Sequence, residues 1–139
     1  MSEQQRSCKE RWAEEKDGRI GDLRKLWALY QEGDEDGDED LGTFEEYGLS
    51  FDYVAAGTFT DQPRGYFRYQ LSTGGPQDEF RFETEDPRNP EPEIAYWYLD
   101  WWDGYGRSLV GQDRALLLEI WEWFREVGSA QAEWDKAED

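Results

Sequence analysis

Histidine is absent from this chain, cysteine and methionine occur once each, and lysine is scarce at four residues. Without His, the Ser-His-Asp and Cys-His nucleophile systems, imidazole acid–base chemistry and most zinc and haem sites are excluded. A single cysteine, Cys8, excludes an intrachain disulfide and a thiolate cage for a metal. No apolar run nears the ~20 residues that cross a bilayer. The first ten residues lack the apolar centre of a secretion signal, so a cytoplasmic, reducing setting is expected. Positive charge is also in short supply: 15 Lys plus Arg stand against 34 Asp plus Glu, for a formal charge of -19. A protein this acidic is not expected to bind nucleic acid directly, nor an anionic membrane surface, since both need a basic footprint.

What the chain does have is rings. Its 139 residues include 8 Trp, 8 Tyr and 7 Phe. Each removes ~150–250 Å² from water when buried, enough together to build a core under a very hydrophilic surface. The length suits one domain.

Ile20, Leu23, Leu26, Trp27 and Tyr30 recur at helical spacing, with Asp22 as a cap and Gly33 as a stop, which predicts a helix over about 19–31. Residues 1–18, polar apart from Trp12, read as a flexible segment. Thr43-Phe-Glu-Glu46 has the form of a capping box opening a single helical turn that Gly48 ends. Alternating stretches then predict strands at about 49–56, 65–72, 78–84 and 93–102. The turn cluster Ser72–Pro76 makes a hairpin of the second and third. The strand at 93–102 is apolar on both sides and is expected inside the sheet, covered on both faces. Leu116, Leu117, Ile120, Trp121, Trp123, Phe124 and Val127 make a wide apolar face that predicts a second helix over about 109–127, stopped by Gly128, and residues 129–139 read as a polar tail. The expected architecture is α+β, an antiparallel sheet of about four strands packed with two helices in a single domain over 19–128.

Several stretches carry the residue types of specific chemistry. Residues 32–40 hold seven carboxylates and no base. Aligned to a calcium hand with Gly37 at position 6, they place Glu32, Asp34, Asp36, Asp38 and Asp40 at the odd positions. Position 12, which needs a bidentate Glu, is Thr43. A solvated loop is the simpler reading, and neither metal nor cofactor is expected. Asp100 and Asp103 flank Trp101 and Trp102, but Asp103 falls on the turn, so the spacing of a glycosidase pair is not assured. A sugar-binding module would need Tyr96, Tyr98 and Trp102 exposed; core packing is the simpler reading. Cys8 lies beside Lys9 and Arg11, which favour its thiolate, yet it has no His or second Cys to act with.

The negative charge runs the length of the chain: residues 1–50, 51–100 and 101–139 carry -8, -6 and -5. Such a surface serves solubility or salt tolerance, or it meets a basic partner. The second reading makes the protein a non-enzymatic inhibitor whose carboxylates replace DNA phosphates in the basic groove of a nuclease or other nucleic-acid-binding protein. The candidate partner-binding residues are Asp34, Glu35, Asp36, Asp38, Glu39 and Asp40 of the loop, Glu45 and Glu46 after it, and Glu79 and Glu83 on a strand. Glu119, Glu122 and Glu126 form a further helical set.

The runs Glu46-Tyr-Gly-Leu-Ser-Phe-Asp-Tyr-Val54, Gly65-Tyr-Phe-Arg-Tyr-Gln-Leu71, Asp78-Glu-Phe-Arg-Phe82 and Tyr96-Trp-Tyr-Leu-Asp-Trp-Trp-Asp-Gly104 resemble small acidic proteins of bacterial plasmids and integrative elements. That resemblance spans about residues 20–130 and implies an inhibitor of anti-restriction or anti-CRISPR type; it assigns no site residue. An immunity or antitoxin protein capping a basic toxin fits the same charge. Either would act as a monomer or homodimer.

Overall fold

In the computed structural model, which describes residues 7–100 and 103–138, the alternating stretches form one antiparallel meander. Its strands are β1 (Ser50–Val54), β2 (Tyr66–Ser72), β3 (Gln77–Glu83), β4 (Glu93–Asp100) and β5 (Asp103–Ser108), hydrogen-bonded in chain order. Four helices accompany them: α1 (Cys8–Gln31), α2 (Phe44–Tyr47), α3 (Gly111–Glu126) and α4 (Ser129–Glu138). The α+β class, the β2–β3 hairpin and the single turn after Thr43 (α2) are as expected; the strand β5 and the helix α4 are additional. Trp101 and Trp102, the end of the expected 93–102 strand, lie outside the described residues.

Period two places Phe51, Phe67, Tyr69, Phe80, Phe82, Ile94, Tyr96 and Tyr98 on one face, and the helices cover it. Trp121 of α3 packs on Phe67 and Phe82, with ring centroids 5.2 and 5.0 Å apart, and Phe124 stacks on Phe51 at 3.8 Å. Trp12 of α1 meets Tyr96 edge-on at 6.0 Å and donates its indole N–H to the Tyr96 carbonyl at 2.7 Å. Each such ring stabilises the fold by about 2–3 kcal/mol.

The first helix starts eleven residues earlier than the sequence pattern suggests. Ser7, not Asp22, is its N-cap: the Ser7 hydroxyl accepts the Glu10 N–H and the Glu10 carboxylate accepts the Ser7 N–H. Residues 8–18 offer few apolar groups, and Gly18 and Gly21 look like breaks. Both glycines sit on the exposed side with nothing near them, so each costs only its ~1 kcal/mol of helix propensity. Docking onto β4 and β5 through Cys8 and Trp12 offsets that. The expected tail is likewise a helix, α4, which buries Ala130 and part of Trp134, spaced i, i+4.

β5 was hidden by its glycines. Asp103-Gly-Tyr-Gly106 reads as a turn, yet a Cβ on Gly106 would lie 2.1 Å from the Trp97 ring opposite it. Gly106 makes room for the Trp97 ring, and Gly104 for the Leu99 side chain, lying across the sheet, rather than for a bend. β4 is interior as expected, but among the described residues no helix covers its second face. There the sheet closes over itself. The Arg81 guanidinium lies 4.6 Å from the Tyr66 ring centroid and 4.2 Å from that of Trp97, and it donates to Glu79 at 2.7 Å. Arg81 stands directly opposite Arg68, and the like charges are tolerated because Glu79 holds one and Asp52 holds the other, at 3.0 and 2.7 Å.

On the helix face one carboxylate joins the layers. Asp78 accepts Arg19 of α1 at 2.7 and 3.0 Å, the Tyr96 hydroxyl at 2.6 Å and the Ser72 hydroxyl at 2.5 Å. Arg19 also donates to the Tyr47 hydroxyl of α2 at 2.9 Å, and Tyr47 donates to Asp22 at 2.6 Å. Burial alone would lower the Arg19 pKa; its bonds to Asp78 and Tyr47 outweigh that and raise it. Burial and the bond to Asp22 push Tyr47 up to about 12. Asp78→Ala should therefore destabilise the protein by roughly 3–5 kcal/mol in urea unfolding, since it strands a cation and two hydroxyls. Arg88→Ala, which removes an exposed pair with Asp86, should change stability by less than about 0.5 kcal/mol. Equal effects from the two would refute the assignment.

Candidate functional site

The acidic stretch is a built loop. α1 ends in a Schellman arrangement, with Gly33 at φ 81° and the Asp34 N–H bonded to the Leu29 carbonyl at 3.0 Å. Asp34 then accepts the N–H groups of Asp36 and Gly37 at 3.0 and 3.3 Å. Asp38 and Gly42 exchange two backbone hydrogen bonds, and Asp38 also accepts the N–H groups of Asp40 and Leu41 at 3.0 and 2.9 Å. Lys25 of α1 closes on the other Asp38 oxygen. The hydrogen bond from Lys25 is the main reason that the Asp38 carboxyl titrates below the usual range. The stretch read as merely solvated is thus fixed by its own carboxylates. Gly37, at φ 73°, passes so close to Gly42 that a Cβ would lie 2.3 Å from the Gly42 carbonyl oxygen.

Of the expected partner-binding residues, Asp34, Glu35, Asp36, Glu39 and Asp40 are exposed, while Asp38 is largely committed to the loop. Glu45 and Glu46 are exposed on α2, with Glu46 bonded back to the Thr43 cap at 3.1 Å. The strand pair does not join them. Glu79 is 1% exposed and belongs to the Arg81 cluster on the helix-free face, so it cannot meet a partner as placed. One of its oxygens has no hydrogen-bond partner. Glu83 is exposed at the far end of β3. Period two ties these two acids to that face, and the burial of Glu79 follows from the rings of neighbouring strands, which its own alternation does not reveal.

What sequence reasoning missed is the aromatic cluster around which the acids lie. Tyr30 and Trp27 of α1 stack at 5.7 Å, Phe44 of α2 packs at 4.9 Å from Trp27, and Trp123 of α3 meets Tyr30 edge-on at 6.0 Å. The Trp27 indole donates to Glu119 at 2.8 Å and that of Trp123 to the Tyr30 hydroxyl at 3.0 Å. Between α1 and α3 this leaves a groove of about 610 Å³ walled by Trp27, Tyr30 and Trp123 and edged by Glu119, Glu122, Glu126 and Val127. On the other side of Tyr30, a second hollow of about 350 Å³ has Leu26, Leu29 and Phe44 below and Asp34, Glu35 and Glu45 around it. The only hint in the sequence was the spacing of Glu119, Glu122 and Glu126 on one helical face. Three cations of these helices are paired with carboxylates: Lys25 with Asp38, Arg24 with Asp113 and Arg125 with Glu122.

Elsewhere the aromatic residues follow the core-packing reading. Tyr96 and Tyr98 are buried, so they offer no sugar platform; Trp102 lies outside the described residues. Asp100 and Asp103 face each other across the β4–β5 pair, where Asp103 accepts the Cys8 N–H at 2.7 Å and Arg11 approaches Asp100 at 3.9 Å. Among the described residues no three Cys, Asp or Glu side chains converge as a metal site, and no helix is long and apolar enough to cross a membrane. Comparison with protein-family models, curated proteins and solved structures finds no match, so the reading of this surface rests on its geometry.

Cys8 reverses its expected character. It is buried, and burial together with the neighbouring Asp103 pushes its thiol up to about 11, against the effect expected of Lys9 and Arg11. At pH 8 its thiolate fraction is roughly a hundredth of that of an ordinary cysteine. A disulfide reagent should therefore react about 100-fold more slowly with the folded protein than with the urea-unfolded chain. Comparable rates would show the thiol to be open.

Proposed function

We propose that this protein is a non-enzymatic inhibitor that binds the basic surface of a nucleic-acid-binding protein or nuclease, of anti-restriction or anti-CRISPR type, and occupies the place of nucleic acid. The observation that carries this reading is the arrangement of one end of the molecule. Exposed carboxylates of the 32–40 loop, α2 and α3 surround a cluster in which Trp27 and Phe44 are buried and Tyr30 and Trp123 half-buried. Lys25, Arg24 and Arg125 of the same helices are each paired with a carboxylate of this chain. Lysines and arginines that hold phosphates would meet carboxylates in charge-assisted pairs, with fast, salt-sensitive association. Apolar contact with the rings adds affinity that salt does not screen.

The test is capture of nucleic-acid-binding enzymes from a bacterial lysate on the immobilised protein, followed by elution with duplex DNA at constant salt. Mimicry requires that DNA displace what is captured. The combined variant Asp34→Asn, Asp36→Asn, Glu39→Gln, Asp40→Asn leaves the loop's Asp38 in place. It should weaken binding of the captured protein by roughly 2 kcal/mol, about 30-fold. Bound protein that DNA does not displace, or that the variant holds equally well, would overturn the reading.

A further inference from the structure

We infer that the groove between α1 and α3 is an arginine-selective anchor, receiving guanidinium groups of the basic partner in preference to lysine ammonium groups; this rests on the proposed function above. The walls of the groove are ring faces. The indole N–H groups of Trp27 and Trp123 are already given to Glu119 and to Tyr30, so neither ring offers a free N–H. Trp27 is buried and stacked on Tyr30, and the part-exposed ring surface is that of Tyr30 and Trp123. Around them stand carboxylates, and among the described residues no cation pairs with Glu119 or Glu126. A site of π-faces and acceptors selects a flat, donor-only cation. Guanidinium is planar, carries five N–H donors and no acceptor, and sheds water more readily than a compact ammonium. At about 610 Å³ the groove lies within the range of ordinary ligand sites and has room for more than one such side chain.

The same protein already holds one guanidinium with the same three residue types. There the two rings stand apart with the cation between them, whereas Tyr30 and Trp123 touch edge-on and leave their outer surfaces to an occupant. On the helix-free side of the sheet, Arg81 lies between the Tyr66 and Trp97 rings at 4.6 and 4.2 Å, with the Glu79 carboxylate on its Nε at 2.7 Å. Tyrosine, tryptophan and glutamate recur in the groove as Tyr30, Trp123 and Glu126, without a guanidinium of their own. Arg125, the nearest arginine in sequence, is held on Glu122 and on the Arg88 carbonyl.

The experiment compares a fluorescein-labelled oligoarginine peptide with the oligolysine peptide of equal length, by anisotropy at physiological salt and by the indole N–H resonances of the ¹⁵N-labelled protein. Arginine peptide should bind about tenfold more tightly and shift the Trp27 and Trp123 indole signals. The double variant Glu119→Gln, Glu126→Gln retains the Trp27 acceptor and should bring the two affinities within about twofold. Equal binding of both peptides with unmoved indole signals, but weakened by the loop variant, would overturn the arginine anchor and leave the acidic-surface reading standing. Failure of both peptides to bind would overturn both.

Discussion

Asp78 is the point on which the arrangement of this protein turns. A carboxylate buried in a core is tolerated only when its lone pairs are taken up, and here four donors from three different elements take them. Those donors fix geometry as well as charge. Arg19 must stand over the end of β3, which sets the height and rotation of α1 on the sheet. Since Arg19 reaches on to Tyr47, α2 is held to the same point. The far half of α1 then carries Trp27 and Tyr30 against α3, and the acidic loop leaves from a fixed position. The site is remote from Asp78 and yet is placed by it.

A chain with this surplus of acid repels itself, and the fold answers by using carboxylates in two distinct ways. Some are drawn inward onto the few cations: Asp78 on Arg19, Glu79 on Arg81, Asp52 on Arg68 and Asp113 on Lys16. Cations spent inside are not available to neutralise the outside. The exposed acids of the loop and α3 therefore stand with little compensation, and the uneven surface is a consequence of how the interior is satisfied.

Much of this was legible in the sequence because period-two and period-3.6 patterns report which residues face the core. The first three strands, α3, the Thr43 cap and the stops at Gly33 and Gly128 all follow from such local signals. The failures share a cause. α1 before residue 19, α4 and β5 have weak patterns of their own and are held by tertiary contacts: Trp12 on Tyr96, Ala130 in the core, Gly106 beneath Trp97. Glu79 was misplaced for the same reason, since what buries it comes from other strands. The groove was invisible because Trp27 and Trp123 obey the core pattern in their helices, and only the crossing of α1 and α3 leaves their cluster half open.

That half-open cluster bears on what the acidity is for. A surface shaped for solubility keeps charges dispersed and its large apolar groups covered, because an exposed ring gains nothing from a neighbouring carboxylate in water. Here the acids stand at the edges of ring-lined hollows, with Glu119 bonded to an indole and Glu126 and Glu45 beside others. Glu119 meets Trp27 at its N–H edge. Carboxylate with aromatic face is by itself an unfavourable combination, since the face carries partial negative charge. It becomes favourable once a cation lies on the face and is held by the carboxylate, as Arg81 is held by Glu79 between Tyr66 and Trp97. The fold satisfies that combination within itself on one side of the sheet; under the proposed function, the ring-lined groove on the other side takes the corresponding cation from the basic partner.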